Sequence, residues 1–206
     1  RLGQEKDSVQ RAVILRQHRG YAALAESYCA IPSPFLAITH GVSAVGKSHV
    51  AMRLVEALGT IRLRSDIERK RLFGEQSAEA KDQLAAGIYS IDASQATYQR
   101  LHQLARQTLL AGFPVVIDAT YLKAAQRQAA SEIAEETGAP FLILDCHAPQ
   151  AVIASWLEQR RSEGQDPSDA TLEVIQAQQA SREPLDDEEQ SHSKRVDTHD
   201  SASLDS

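Results

Sequence analysis

The feature that most constrains this chain is a short glycine-containing string at residues 41–48. It reads GVSAVGKS and lies between a hydrophobic run and an amphipathic stretch. Gly41 and Gly46 allow backbone geometries and close approaches that a Cβ would block, so successive N–H groups can point at phosphate oxygens. The string therefore predicts a strand, a phosphate-binding loop and a helix, in that order.

The side chains of the loop indicate a nucleotide site. Lys47 would carry a compact positive charge to the β- and γ-phosphates, and the hydroxyl of Ser48 suits Mg²⁺. The helix that begins here turns its positive dipole end towards the anion. A strand-to-helix turn with an incidental lysine is the alternative. We expect ATP with Mg²⁺ to bind here, contacting Gly41, Val42, Ser43, Ala44, Val45, Gly46, Lys47, Ser48 and His49.

Along the rest of the chain, short apolar runs alternate with amphipathic stretches. This alternation is the signature of a parallel sheet covered by helices on both faces, so the predicted fold class is α/β. Predicted strands are residues 35–39, 61–65, 115–119, 141–145 and, more weakly, 194–198. The helices are predicted to end at Gly59 and Gly112 and to span 122–137 and 149–162; the apolar positions of the first two are Val50, Ala51, Leu54, Val55 and Leu58, then Tyr98, Leu101, Ala105 and Leu109.

Composition limits the class of protein. At 206 residues and 42% hydrophobic, the chain can bury one good core, which indicates one domain with appendages. The net charge of -6 argues against a nucleic-acid partner, because such binders usually carry a basic field. Cys29 and Cys146 have no metal-ligand spacing and are interpreted as reduced thiols. With no apolar run of about 18 residues and no signal-peptide core, we expect a cytoplasmic protein.

The domain organisation is predicted in three parts. Residues 1–33 are interpreted as a helical linker or docking segment, 34–198 as the nucleotide-binding domain, and 199–206 as a disordered tail. The stretch SEGQDPSD at 162–169 is interpreted as a mobile lid between two helices. The chain begins at Arg1 rather than at a methionine, so we expect a fragment or a processed product.

Asp118 is the candidate metal ligand. It ends the apolar run VVIDA, and parallel sheets bind ligands at the carboxyl ends of their strands. A phosphoryl-transfer site needs a carboxylate to hold the hydrated metal beside Ser48. The alternative is that Asp118 only caps the helix that follows. Thr120 is a weaker candidate at the same place.

Asp66 and Arg69 are the candidate acceptor-side residues. They follow the second strand and are one helical turn apart, so both should face the same cleft. Asp66 could accept the proton of an attacking hydroxyl, and Arg69 could grip an anionic substrate. Asp66 could instead be a helix N-cap, and Glu68 with its basic neighbours a solvated helical face. The solvated interpretation is favoured for Arg62, Lys70 and Arg71.

Arg160 and Arg161 close a helix just before the predicted lid. A closing lid could bring either arginine to the transferred phosphoryl group, and the alternative is that they interact with the helix carbonyls. Both arginines are candidate catalytic residues. Arg127 is expected to lie at the surface rather than in the site, and His40 is interpreted as a strand-end residue only.

The stretches THGVSAVGKS, LRSDIERKRLFG, VVIDATYL and DATLEVIQAQ followed by EPLD resemble P-loop kinase-like ATP-binding proteins of the AAA-family ATPase type. These occur alone or behind an aminoglycoside-phosphotransferase-like domain. The resemblance implies a P-loop NTPase three-layer sandwich with a helical lid and a five-stranded parallel sheet in the order 2-3-1-4-5. It supports ATP, Mg²⁺ and the roles of Lys47, Ser48 and Asp118. Ala44 and Val45 depart from the smaller or hydroxylated residues of relatives.

The pair Asp66 and Arg69 is similar to the acid and arginine of polynucleotide-kinase-like and zeta-toxin-like enzymes. The leading hypothesis is a kinase that moves the γ-phosphoryl group of ATP to a hydroxyl of a small molecule, such as a sugar or sugar nucleotide. The first alternative is an ATP-binding or ATPase module that regulates a fused or partner domain. The second is a polynucleotide 5′-kinase, which the acidic net charge disfavours.

Overall fold

The computed structural model describes residues 8–29, 33–73, 91–163 and 172–200. The chain divides into two units, Arg1–Pro32 and Ser33–Ser206. The described part of the first unit is the helix α1, at Ser8–Cys29. None of the helices in the described segments is long and apolar enough to span a membrane.

The second unit alternates strands and helices. The elements among its described residues are β1 Leu36–His40, α2 Lys47–Leu58, β2 Ile61–Arg64, α3 Ser65–Phe73, α4 Ile91–Leu110, β3 Val115–Asp118, α5 Ala124–Thr137, β4 Phe141–His147, α6 Gln150–Glu163, α7 Leu172–Ser181, α8 Asp187–Ser191 and β5 Ser193–Asp197. Each of the five predicted strands is present, with ends that differ by up to two residues. Gly59 and Gly138 end α2 and α5 in the left-handed conformation that favours glycine.

The five strands form one sheet in the order β2-β3-β1-β4-β5, and every pair is parallel. This confirms the α/β class and the strand order that the family resemblance implied. Sequential strands that do not pair are joined by crossovers through helices, as parallel strands require. The carboxyl ends of β1, β2 and β3 therefore lie side by side.

Two apolar clusters cover the two faces of the sheet, as alternating side chains on a buried strand require. Ala37 and Val116 pack on one face with Ala51 of α2 and Ile153 of α6. Residues of α4 and α5 pack on the other face against Leu36, Ile38, Val115 and Ile117. Tyr98, Leu101, Ala105 and Leu109 of α4 are all buried, as predicted.

One sequence-based expectation on burial is corrected. Leu58, predicted on the apolar face of α2, is 40% exposed because it is the last residue of the helix. Most of the predicted lid at 162–169, from residue 164 onwards, lies outside the described residues, as does the tail from residue 201. Cys146 is a free, buried thiol, and burial raises its pKa to about 12.

Candidate active site

The phosphate-binding loop, residues 41–46, joins β1 to α2. Gly41 and Gly46 have φ of 136° and 89°, values that side chains rarely adopt. A Cβ on Gly41 would lie 2.8 Å from the carbonyl oxygen of Cys146, and one on Gly46 would lie 2.8 Å from Cβ of Thr198. Both glycines are therefore required by space as well as by conformation. Ala44 also has a positive φ, of 62°.

Residues from three other parts of the chain hold this loop. Its Gly41 N–H donates to the carbonyl of Thr120 at 3.1 Å. The Ser43 N–H donates to Oε1 of Gln178 at 2.7 Å, and the Thr198 hydroxyl donates to the Val45 carbonyl at 2.6 Å. The three partners, Thr120 after β3, Gln178 on α7 and Thr198 after β5, all lie outside the loop, so the loop sequence does not reveal them.

Lys47, Ser48 and Asp118 lie together at the start of α2. Lys47 is 8% exposed and its Nζ donates to the Val42 carbonyl at 2.6 Å, so the ammonium group folds back over the loop. The Ser48 hydroxyl donates to Oδ2 of Asp118 at 2.8 Å. Asp118 does not cap a helix, because α5 begins six residues later with Lys123 at its N-cap. The helix-cap alternative for Asp118 is therefore wrong.

The sequence favoured a solvated position for Arg62, and this expectation was wrong. Its Nε donates to Oδ2 of Asp118 at 3.1 Å, and its Nη2 donates to the same oxygen. In the parallel register Arg62 lies beside Val116, so its side chain shares a face of the sheet with Asp118, two residues further along β3. The alternation of Arg62 and Arg64 with Ile61 and Leu63 in β2 was the signal that could have shown this.

The oxygens of Ser48 and Asp118 fit a magnesium ion. Mg²⁺ prefers hard oxygen ligands and is usually held by one or two carboxylates together with substrate phosphates and water. In the described segments, no group of three or more His, Cys, Asp or Glu side chains could hold a metal on its own. The donor set therefore suits a metal that shares its ligands with a nucleotide.

Asp66 lies in the first turn of α3, one residue inside the helix that begins at Ser65, so it is not the N-cap. A cavity at the carboxyl edge is lined by Lys47, Ser48, Asp66 and Asp118, and by Arg64 and Thr120. The two carboxylate oxygens of Asp66 accept hydrogen bonds from Arg64, from Nε at 3.1 Å and from Nη2 at 2.5 Å. The sequence predicted Asp66 as a site residue but did not predict its two hydrogen bonds from Arg64.

Lys70 and Arg71 are exposed, as the favoured interpretation expected, but Glu68 is not part of a solvated helical face. Glu68 is 4% exposed and forms ion pairs with Arg71 and with Arg100 of α4. These pairs tie α3 to α4, so Glu68 is part of the helix packing. Arg69 lies close enough to Tyr98 to act on it electrostatically: burial raises the pKa of the Tyr98 hydroxyl, and the positive charge of Arg69 opposes this.

Arg160 and Arg161 lie near the end of α6. Their side chains lie outside what the structure describes, so they stay candidates. Arg127, expected at the surface, is fully buried, and this expectation was wrong. Its guanidinium forms an ion pair with Glu189 and donates to the carbonyls of Tyr121, Glu183 and Pro184. Most of these partners lie far from Arg127 in the sequence, so no local pattern predicts them.

The β3 turn, residues 119–123, contains structure that the sequence did not reveal. Tyr121 is fully buried with a positive φ of 48°. Its N–H donates to the Tyr98 hydroxyl at 3.0 Å, and that hydroxyl lies 3.2 Å from Oγ1 of Thr120. Nε2 of His102 lies 3.1 Å from the Tyr121 hydroxyl. The sequence places Tyr98 on the apolar face of its helix, and a buried tyrosine hydroxyl needs a hydrogen-bond partner. The existence of such a partner was therefore predictable, although its identity was not.

His40 is more than a strand-end residue, as its complete burial shows. Its Nδ1 lies 2.9 Å from the carbonyl of Tyr121, and Nε of Arg182 lies 3.0 Å from its Nε2. A carbonyl only accepts and a guanidinium only donates, so His40 is neutral with its proton on Nδ1. Burial, followed by the charge of Arg182, lowers the pKa of His40 to about 4.

The fold and the loop define a P-loop nucleotide-binding domain with the sheet order of P-loop kinases. The sequence model described as AAA domain matches residues 36–185, and the chain belongs to this family. No curated protein matches the sequence.

Solved structures share the fold. A sugar kinase from Janibacter sp. is 20% identical with a TM-score of 0.61, covering 84% of this chain and 91% of its own. A gluconokinase from Sinorhizobium meliloti is 21% identical with a TM-score of 0.58, covering 84% of this chain and 92% of its own. At these identities the likeness establishes the kinase-like fold.

Proposed function

We propose that this chain is a kinase that transfers the γ-phosphoryl group of ATP to a hydroxyl of a small molecule, with sugars and sugar derivatives as the acceptor class. The observation that carries the proposal is the cavity at the carboxyl edge. Lys47, Ser48 and Asp118 line it together with Asp66. A pure nucleotide site has no need of a second carboxylate in the cavity that the phosphate-binding loop lines.

On the nucleotide side, each residue has a distinct role. The loop N–H groups and Lys47 would bind the phosphates, with Lys47 exchanging its bond to the Val42 carbonyl for phosphate oxygens. Ser48 and Asp118 would hold Mg²⁺, which supplies charge neutralisation at the β- and γ-phosphates.

On the acceptor side, Asp66 would take the proton of the attacking hydroxyl. The acceptor oxygen forms a bond to the γ-phosphorus as the bond from that phosphorus to the bridging oxygen of ADP breaks. A carboxylate that accepts two bonds from Arg64 still has lone pairs for this proton. Arg69 of α3, and Arg160 or Arg161 from the end of α6, would neutralise the charge of the transferred group.

The acceptor class is suggested by the fold relatives. Two solved structures that match over most of their length are a sugar kinase and a gluconokinase. Their low identity leaves the particular sugar open. The proposal therefore specifies a polyhydroxylated small molecule and no single compound.

The test is an acceptor screen with γ-labelled ATP, using sugars, sugar acids and sugar nucleotides. We expect label to reach an acceptor with the wild type. Lys47→Ala should lower ATP affinity by about a hundredfold, as loss of charge-assisted bonds to phosphate predicts. Asp66→Asn should slow transfer by at least about a hundredfold, since a general base contributes that much or more. The exposed Lys194 and Asp92 offer matched controls as Lys194→Ala and Asp92→Asn.

A second function has one observation in its favour. Because Arg64 engages both carboxylate oxygens of Asp66, the acid is not directed at an acceptor in this conformation. An ATPase module that regulates another domain would tolerate that. Label appearing only as free phosphate for every acceptor, at a rate that Asp66→Asn leaves unchanged, would replace the kinase proposal with this one.

A further inference from the structure

The guanidinium of Arg62 occupies an oxygen of the candidate metal ligand. Its Nε, at 3.1 Å, and its Nη2 both donate to Oδ2 of Asp118. The same oxygen accepts the hydroxyl of Ser48 at 2.8 Å. Three donors therefore converge on one oxygen of a carboxylate whose side chain is only 6% exposed.

The position of Arg62 is fixed from several sides. Its side chain is 17% exposed, which is unlike a surface ion pair. Its Nη1 lies 3.9 Å from Sδ of Met52, one turn beyond Ser48 on α2. The strand register places Arg62 on the face of the sheet that carries Asp118. The guanidinium thus lies across the two elements that supply the metal ligands.

We propose that Arg62 acts as an internal cation that competes with free metal for Asp118 and makes tight metal binding depend on nucleotide. The inference rests on the metal site of the proposed function. An arginine is permanently charged, so it neutralises the carboxylate at any physiological pH. A divalent ion that arrives without nucleotide meets an Asp118 carboxylate already neutralised by Arg62, with the positive charge of Lys47 in the same cavity. The negative charge of a bound triphosphate restores the attraction.

The test is a titration of nucleotide-free protein with Mn²⁺, in which free Mn²⁺ is measured by electron paramagnetic resonance. Arg62→Gln removes the charge and keeps a hydrogen-bond donor. We expect it to raise Mn²⁺ affinity at least about tenfold, the size of a lost charge-assisted bond. Arg106→Gln, at an exposed arginine paired with Glu136, should leave the affinity unchanged.

Two further variants separate the possible failures. In Arg62→Gln combined with Asp118→Asn the gain should disappear; a double variant that binds Mn²⁺ as tightly as Arg62→Gln would reject Asp118 as the ligand, and with it the metal site. Unchanged or weaker binding by folded Arg62→Gln would reject only the role of Arg62. If Arg62→Gln does not fold, Arg62→Met, which also removes the charge, takes its place with the same expected gain, and no gain in that variant would overturn the proposal.

Nucleotide provides the last arm of the test. A non-hydrolysable ATP analogue should increase Mn²⁺ affinity by a larger factor in the wild type than in Arg62→Gln, because only the wild type starts from a blocked site. Equal factors in the two proteins would contradict the proposed dependence on nucleotide. ATP binding itself is followed separately through Lys47→Ala.

Discussion

Two turns meet at the carboxyl edge of the sheet, the phosphate-binding loop and the β3 turn that follows Asp118. The loop takes its shape from glycines within its own sequence, where a Cβ would strike Cys146 or Thr198. The β3 turn contains no glycine, and its fully buried Tyr121 is held at a positive φ by residues elsewhere in the chain. One turn is specified locally and the other by the completed fold.

The two turns are also bound to each other. The Gly41 N–H donates to the Thr120 carbonyl, and the Thr39 hydroxyl donates to the Ala119 carbonyl at 2.8 Å. His40, the last residue before the loop, is bonded to the Tyr121 carbonyl. A disturbance of the β3 turn should therefore reach the phosphate-binding loop, although the loop has its own signature.

The largest effect is expected at Arg127, which connects the β3 turn to α8. Arg127→Ala should lower the free energy of unfolding by about 3–5 kcal/mol, because it leaves Glu189 without its buried partner. It also removes donors from the carbonyls of Tyr121 and Pro184. The measurement is equilibrium unfolding in urea.

The matched control is Arg106→Ala. Arg106 is 57% exposed and pairs with Glu136 at 3.3 Å, so the loss should stay within about 1 kcal/mol. Similar losses for the two variants would mean that the buried pair is no more important than a surface pair. In that case the β3 turn would not depend on long-range contacts.

A medium effect is expected for Gly46→Ala in the phosphate-binding loop. The new Cβ would lie 2.8 Å from Cβ of Thr198, at a φ of 89°. Gly138→Ala is the control, since Gly138 also has a positive φ, 67°, but no atom within 4 Å of its Cβ position. Backbone strain is common to both variants. The loss of stability at Gly46 should exceed that at Gly138 by about 1–3 kcal/mol, the usual cost of overpacking.

Thermal and urea unfolding of the two glycine variants would measure this difference. Equal losses would show that the close approach of Thr198 is relieved by a small movement of β5. The loop would then be defined by conformation alone, and the comparison between the two turns would become sharper.

The same contrast explains how much was predictable. The strands, the sheet order and the loop were accessible because apolar alternation, turn residues and the family resemblance are local or shared properties. The position of Asp118 at the end of a buried strand was predicted correctly, and its role as a metal ligand stays a prediction. The error at Leu58 has a local cause as well, since apolar periodicity continues to a helix end that no longer faces the core.

The side-chain partners were not predictable, because they depend on which distant segments the fold brings together. Arg127 reaches Glu189, which is 62 positions away, and Ser43 bonds to Gln178 across 135 positions. A single sequence gives no measure of such pairs. Two arginines were assigned to the surface for this reason, which was wrong for Arg62 and Arg127.

The smallest effect expected concerns pH and His40. Its pKa in the folded protein is lowered to about 4, chiefly by burial and then by Arg182, while Asp145 opposes the shift. The unfolded chain has an ordinary histidine pKa of about 6.5 and binds the proton first as the pH falls. The contribution of neutral His40 to the free energy of unfolding is therefore present above about pH 6.5 and is lost as the pH falls towards about pH 4.

Between about pH 7.5 and about pH 6 this linkage should remove about 1 kcal/mol of stability per buried histidine. His102 contributes in the same direction, because burial lowers its pKa to about 4 as well. Urea unfolding of the wild type and of His40→Gln at the two pH values measures the share of His40. The variant should lose less stability on acidification, and His192→Gln, at an exposed histidine, should behave as the wild type. If His40→Gln and the wild type lose the same amount, His40 is not held neutral in solution by burial and Arg182.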